Sequence, residues 1–464
     1  MLCGAIGRNI YIKKKQFCVV AAVGDVERTR ILAFLEAVKR CDLEATKNLL
    51  NAHPHFANTE IPGSGQTTLH FAIFEGQLEM INGLLNTMSN QYLKKRDFYG
   101  RTALHYVAMS SENAKVAQSL IRKEKQLLTT PDNGGEIPLN YACWIGHKDM
   151  THYLYNMTPR EFLLSQGNEC YSAGLVVECI RYKWFDVVWH LLRDHPNLAF
   201  AETKNGLNAV SILSSQPSAF PSGNRLSFWQ RWIYSCLKVK QPSSGDDFRI
   251  NTYELQDRKE TKNFGMQVAG QLLGLWSNLL KFFGIKQIYD LKQAHVYAHE
   301  ILLLMSETIT TETSQLSVVR EAILNAARWG ITEFIVEIVK SNIDLLMTLD
   351  SDLRSIFHIA IAHRQENVFG LIYGLDTTKY NFLPFGDKND DNMLHLAGEL
   401  SPESQVKLQQ ISGAALQMQR ELQWFKVIIS LSLSFIIPHL QMQMQKIAIN
   451  LHLLAFISFF NLSD

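Results

Sequence analysis

Gly65-Gln66-Thr67-Thr68-Leu69-His70, Gly100-Arg101-Thr102-Ala103-Leu104-His105 and Gly135-Glu136-Ile137-Pro138-Leu139-Asn140 recur every 35 residues along the chain. Self-similarity at a period of about 20 to 50 residues marks stacked units, none of which can bury its apolar face without its neighbours. The fold class that follows is all-α, a solenoid of stacked helix-turn-helix units. Function in such a fold resides in a surface.

The second helix of each unit repeats as well. From a small or polar turn position, paired apolar residues fall eight and nine places later: Cys41 to Leu49-Leu50, Gly76 to Leu84-Leu85, Gly146 to Leu154-Tyr155, Lys183 to Leu191-Leu192, Gly330 to Ile338-Val339 and His363 to Leu371-Ile372. Leu120-Ile121 joins the series if one residue is inserted near Ser110-Ser111.

These segments resemble the ankyrin repeat, whose T-P-L-H-x-A signature opens the first helix of each unit. The residue types agree with that role. Thr67 and Thr102 can cap a helix, and Gly65 and Gly100 suit turns with positive φ. Ala72, Ala108, Ala142, Ala360 and Ala397 are small enough for close helix approach. Thr67, Leu69, His70, Thr102, Leu104, His105, Leu139, His358, Leu394 and His395 are read as structural signature residues, the imidazoles bonding to neighbouring backbone rather than to a metal or substrate.

Composition narrows the function classes. A net charge of +1 with 19% charged residues supplies no basic stripe for nucleic acid. The seven cysteines form an odd set without a C-x-x-C pair and read as reduced thiols. Phe17-Cys18-Val19-Val20-Ala21-Ala22-Val23, after Lys13-Lys14-Lys15, imitates a secretion signal, but its apolar core is short and ill-placed.

Residues 1–29 are expected to be an irregular extension and residues 30–213 about five repeats, the first with a degenerate opening and the fifth eroded at Gly206-Leu207-Asn208-Ala209-Val210-Ser211. Serine- and proline-rich stretches mark 214–263 as a flexible linker, around Phe228-Trp229-Gln230-Arg231-Trp232-Ile233-Tyr234. That block either packs back on the array or presents aromatics to a partner. Residues 264–315 read as a helical connector, too interrupted by Gln271, Asn278 and Lys281 to be a membrane span. Repeats resume over 316–400, through Glu321 to Ala327, Ile356 to Ala360 and Asn392 to Ala397. Within 401–426, Leu408, Ile411, Ala415, Met418, Leu422 and Phe425 form a heptad seam that either caps the last repeat or mates with a partner helix. Residues 427–464 are a hydrophobic tail.

The order of parts is similar to plant ankyrin repeat membrane proteins that carry a C-terminal Pro-Gly-Gly domain. The resemblance rests on Phe220-Pro221-Ser222-Gly223, the Phe228 to Tyr234 block, Ile285 to Lys292, Asn389 to Ala397 and Leu416 to Phe425, and covers roughly residues 30 to 426. It implies stress and defence signalling at the cytosolic face of the plasma membrane or endomembranes. No Pro-Gly-Gly occurs here, so that domain is missing or truncated; without insertion of the tail the expected location is cytoplasmic.

No phosphate loop, nucleophile elbow, H-E-x-x-H or kinase signature appears, and no enzyme activity, cofactor or metal is expected. His295 and His299 share a helix face but are too few for a metal site. Asn156-Met157-Thr158 and Asn461-Leu462-Ser463 match glycosylation sequons. The expected function is a protein-interaction scaffold, with an integral membrane signalling or transport-related protein as the alternative. Recognition is assigned to loops around 96–100, 129–135 and 204–206 together with the concave helix surface of the array, and to Arg96, Phe98, Tyr99, Arg101 and Asp132. The partner is a protein; nucleic acid is not expected, and the C-terminal tail is the candidate membrane contact.

Overall fold

The computed structural model describes residues 25–40, 42–53, 56, 60–61, 64–110, 114–165, 167–224, 226–239, 241–242, 284–309, 313–375, 382, 386–399, 405–406 and 413–433. The extension before residue 25, residues 264–283 of the connector, Leu408 and Ile411 of the heptad, the tail beyond residue 433 and the Asn461 sequon lie outside the described residues. The described residues form two compact units, one ending at Tyr182 and the other beginning at Lys183.

The first unit is built from α1 (Asp25–Lys39), α2 (Leu43–Ala52), α3 (Thr68–Phe74), α4 (Leu78–Thr87), α5 (Asn90–Leu93), α6 (Ala103–Ala108), α7 (Ala114–Lys123), α8 (Pro138–Ile145), α9 (Lys148–Met157), α10 (Arg160–Leu163) and α11 (Glu169–Arg181). First helices stack on first helices, α3 on α6, α6 on α8 and α8 on α11, while α2, α4 and α7 stack in a second layer. Leu69, Leu104 and Leu139 are buried in the first layer, beside Ala72, Ala108 and Ala142, whose methyl-sized side chains let the helices approach. A four-residue stripe anchors the second helices α4 and α9: Met80, Ile81, Leu84 and Leu85 in the first, Met150, Thr151, Leu154 and Tyr155 in the other, while α2 buries only Thr46 and Leu50. In α7 the stripe is Val116, Ala117, Leu120 and Ile121, one residue later relative to its signature leucine, as the insertion near Ser110-Ser111 requires. A short antiparallel ribbon pairs Glu60–Ile61 (β1) with Gln66–Thr67 (β2). Cys143 and Cys179 are buried and not joined by a disulfide, with sulfurs 3.6 Å apart.

The second unit contains α12 (Phe185–Asp194), α13 (Ala209–Leu213), α14 (Phe228–Cys236), α15 (Ile285–Glu307), α16 (Thr313–Trp329), α17 (Thr332–Ser341), α18 (Ile356–Ala362), α19 (Glu366–Gly370), α20 (Met393–Gly398) and α21 (Ala414–Leu433). First-layer helices follow one another as α13, α16, α18 and α20. In the second layer α15 packs between α12 and α17. It therefore fills the place of the second helix whose first helix is α13, although more than 70 residues separate the two in sequence. The stretch read as a linker holds ordered structure as well: short 3-10 turns at Pro217–Ala219 and Pro221–Gly223, and α14, opened by a Ser227/Gln230 capping box and packed on α15.

Two further differences from the sequence reading have physical causes. The left-handed residue before α19 is Arg364 (φ 54°), not His363, so the buried set is Val368, Phe369 and Ile372 while Tyr373 is exposed. In α21 the buried residues are Trp424, Phe425 and Ile428, whereas Met418 and Leu422 of the heptad seam face solvent. α21 covers α20 and sets Trp424 edge-on against Phe369 at 5.6 Å, so its described part caps the last repeat. Among the described residues no helix is long and apolar enough to cross a membrane.

Candidate functional site

Five turns between the helix pairs share one geometry. Asp97, Asp132, Thr203, Asp350 and Asp387 each donate the backbone N–H to the carbonyl four residues on, at 2.9, 2.9, 2.7, 3.0 and 3.0 Å. Each also closes the turn with its side chain. Asp97 Oδ1 accepts from the N–H groups of Tyr99 (2.9 Å) and Arg101 (2.7 Å), and Asp132 Oδ1 from those of Gly134 and Glu136 (both 2.8 Å). Asp350 and Asp387 repeat the arrangement, and Thr203 Oγ1 does so more loosely with Asn205 (3.3 Å) and Leu207 (3.1 Å). Short polar side chains that bond backbone two residues on are suited to this task. The fourth residue of each turn is left-handed: Gly100, Gly135, Gly206, Leu353 and Asp390.

Successive turns are hooked together. Phe98 N–H donates to the carbonyl of Ser64 (3.2 Å), Asn133 N–H to that of Tyr99 (2.9 Å) and Lys388 N–H to that of Asp352 (3.0 Å). The hook places the next turn over the preceding glycine, so that Phe98 covers Gly65 and Asn133 covers Gly100. The signature histidines tie turns to helices. The N–H groups of Thr67 and Thr102 donate to Nδ1 of His70 and His105 (both 3.0 Å), which leaves each ring proton on Nε2. His105 Nε2 then meets the carbonyl of Glu136 in the following turn at 3.1 Å. Ser355 with His358 and Asn392 with His395 form the same capping boxes. Burial lowers the pKa of His70 and of His105 to about 4, so both rings are neutral at pH 7. Leu394 and His395, in the last described repeat, are only half-buried.

The residues assigned to recognition separate into two groups. Arg96, Phe98 and Tyr99 are exposed, Phe98 at 61% and Tyr99 at 56%. Arg101 and Asp132 instead hold the turns. Arg101 pairs with the buried Asp97 carboxylate at 2.7 Å, and its guanidinium lies over the rings of Tyr99 (4.6 Å) and Tyr106 (5.0 Å). The Tyr106 hydroxyl donates to Asp97 (2.8 Å) and accepts from Gln66 (2.7 Å). Burial first, and the neighbouring carboxylate, push the Tyr106 hydroxyl well above its ordinary value. Asp132 accepts from the Tyr141 hydroxyl at 2.7 Å.

Sequence reasoning passed over a second exposed set at the ends of the first helices. Phe74, Trp144, Ile145 and Tyr182 are exposed there, with Met109 half-buried. Tyr141 lies 5.4 Å from Trp144 and edge-on to His105 at 5.3 Å, and Tyr182 donates its hydroxyl to the Trp144 carbonyl (3.0 Å). The signal was available: Phe74, Met109 and Trp144 recur with the period of the signature, four residues after its last position.

His295, half of the weighed metal pair, has both ring nitrogens engaged by protein, Nδ1 with the Tyr234 hydroxyl (2.8 Å) and Nε2 with Asn224 Nδ2 (2.9 Å). Among the described residues no group of three or more potential metal ligands converges.

Residues 34–125 and 87–162 match the family model for ankyrin repeats in three copies. Residues 34–162 are thus an ankyrin-repeat region, a protein–protein interaction module, and its surface includes the turns at Asp97 and Asp132 and the helix ends at Phe74, Met109 and Trp144.

Proposed function

We propose that the chain is a non-enzymatic scaffold that holds a partner protein against the turns of its repeats, with Phe98 and Tyr99 as anchors and Phe74, Trp144 and Tyr182 as a second contact row. One observation carries the reading: two large aromatics stand more than half exposed on a turn whose backbone is fixed at both ends by hydrogen bonds to neighbouring turns. Rigid aromatic side chains lose little conformational freedom on binding, which is why they dominate interface energetics. Arg96 supplies a charge at the rim, and Arg101 and Asp132 act by holding the anchors in place.

The resemblance to plant ankyrin membrane proteins supports the finer reading, a role in stress or defence signalling at the cytosolic face of the plasma membrane or an endomembrane, with the tail beyond residue 433 as anchor. The absence of nucleophile, phosphate-loop and metal-protease motifs from the sequence supports the non-enzymatic assignment.

Replacing Phe98 and Tyr99 together by serine leaves the turn's backbone bonds intact. Affinity capture from plant cell extract with the double variant is expected to lose at least about tenfold of the specifically retained protein, since each anchor contributes about 1 to 2 kcal/mol, while circular dichroism stays unchanged. Retention equal to the parent chain would rule out this surface.

A further inference from the structure

α14 lies in a stretch with an unusual charge pattern. Residues 203–245 include Lys204, Arg225, Arg231, Lys238 and Lys240 and no aspartate or glutamate. None of the residues of α14 is buried: Phe228 is 90% exposed, Trp232 66% and Trp229 45%, and Arg231 and Lys238 are exposed beside them. The opposite side of the helix is firmly docked. Tyr234 meets His295, and the Lys292 ammonium donates to the carbonyls of Tyr234 and Leu237, both at 2.7 Å. The three aromatics are therefore held in water by a fixed helix, on a segment from which every anionic side chain is missing.

Aromatic rings with basic neighbours match the boundary between phospholipid headgroups and acyl chains, where rings enter the interface and cations meet anionic headgroups. An acid-free segment adds no like-charge repulsion of its own at such a surface. We propose that α14 is a lipid-surface contact selective for anionic phospholipid. Phe228, Trp229 and Trp232 insert at headgroup depth, and Arg231 and Lys238 pair with headgroup phosphates and carboxylates. This contact is separate from the protein-binding surface at Phe98 and Tyr99, and it does not depend on the tail beyond residue 433.

The test reads the helix itself. The full chain is exposed to hydroxyl radicals, alone or with vesicles, and oxidation of residues 228–236 is quantified by mass spectrometry. Vesicles of phosphatidylcholine with about one third phosphatidylserine are expected to protect this peptide several-fold, with protection reversed by about 0.5 M salt. Pure phosphatidylcholine should give much less. In the Phe228→Ser/Trp232→Ser variant, whose changes touch only exposed positions, protection at Trp229 should fall to the lipid-free level with helicity unchanged. Unprotected residues 228–236 in the presence of anionic vesicles overturn the proposal, whether or not the chain sediments with them through another segment. Protection by soluble polyglutamate but not by vesicles would overturn it in favour of an acidic protein partner.

Discussion

Gly100 and Gly206 occupy the same place in two turns, both left-handed (φ 80° and 70°), yet their surroundings differ. A Cβ on Gly100 would lie 2.5 Å from the backbone nitrogen of Asn133, because the following turn is hooked over it; at Gly206 nothing lies within 4 Å. Left-handed backbone costs an L-residue about 1 to 2 kcal/mol wherever it occurs. Leu353, in a turn onto which the next is also hooked, and Asp390 show that the position can tolerate that cost. Gly206→Ala should therefore destabilise by about 1 kcal/mol, and Gly100→Ala by about 3 kcal/mol or more, since backbone must also shift. Urea unfolding followed by circular dichroism measures both. Equal losses would mean that stacking of the turns contributes nothing at this position. The same view explains why two of the residues assigned to recognition, Arg101 and Asp132, are occupied within the turn: a polar residue near a glycine reads the same in sequence whether it faces a partner or its own backbone.

Elements show where sequence is a good guide and where it fails. The paired helices of residues 68–157 follow from a strong 35-residue period, and even the displaced stripe of α7 was legible as a one-residue insertion. The pairing of α13 with α15 was not. Local pattern carries no information about which first helix a distant second helix completes, and a serine- and proline-rich insertion conceals the connection. The heptad of α21 misled for a different reason: a seam of alternating threes and fours identifies a helix, but the face it buries is chosen by its neighbour, here Phe369 and Arg364. Arg364 donates to Glu421 at 2.9 Å and to the carbonyls of Ala397 (3.1 Å) and Glu399 (2.9 Å), joining α21 to α20. Arg364→Ala leaves a half-buried carboxylate unpaired and two carbonyls without a donor, a loss of about 2 to 4 kcal/mol. Limited proteolysis should then cut within residues 414–433 at least tenfold faster, with cleavage in α3 to α9 unchanged. Arg364→Lys should rescue only in part, because an ammonium cannot span the same acceptors. An unchanged cleavage rate in the alanine variant would mean that Trp424 and Phe425 hold α21 without the arginine.

At the scale of the molecule, a stack of repeats is stabilised by nearest-neighbour interfaces, so groups repeated along the stack act in concert. The signature histidines are such groups. In His105 the Thr102 N–H points at Nδ1, and Nε2 is matched to the Glu136 carbonyl; protonation would place a second proton against the Thr102 donor in a buried site. Burial is the largest cause holding His70 and His105 at about 4 in the folded chain, against an unfolded value of 6.5. Between those values the unfolded chain binds more protons than the folded one. Stability is then fully present above about pH 6.5 and declines as pH falls toward 4, by up to about 1.4 kcal/mol per pH unit for each histidine. His295, lowered to about 4 mainly by burial, shifts in the same direction in the second unit. Urea midpoints at about pH 7 and pH 5 should thus differ markedly for the parent chain. They should differ less for His105→Gln, a neutral side chain that is less stable at pH 7 but no longer titrates. Carboxylates contribute equally to both chains, so the difference between the two slopes isolates the imidazole. Parallel slopes would show that His105 is protonated in the folded state near its ordinary pKa, and that the Thr102 N–H does not fix its tautomer.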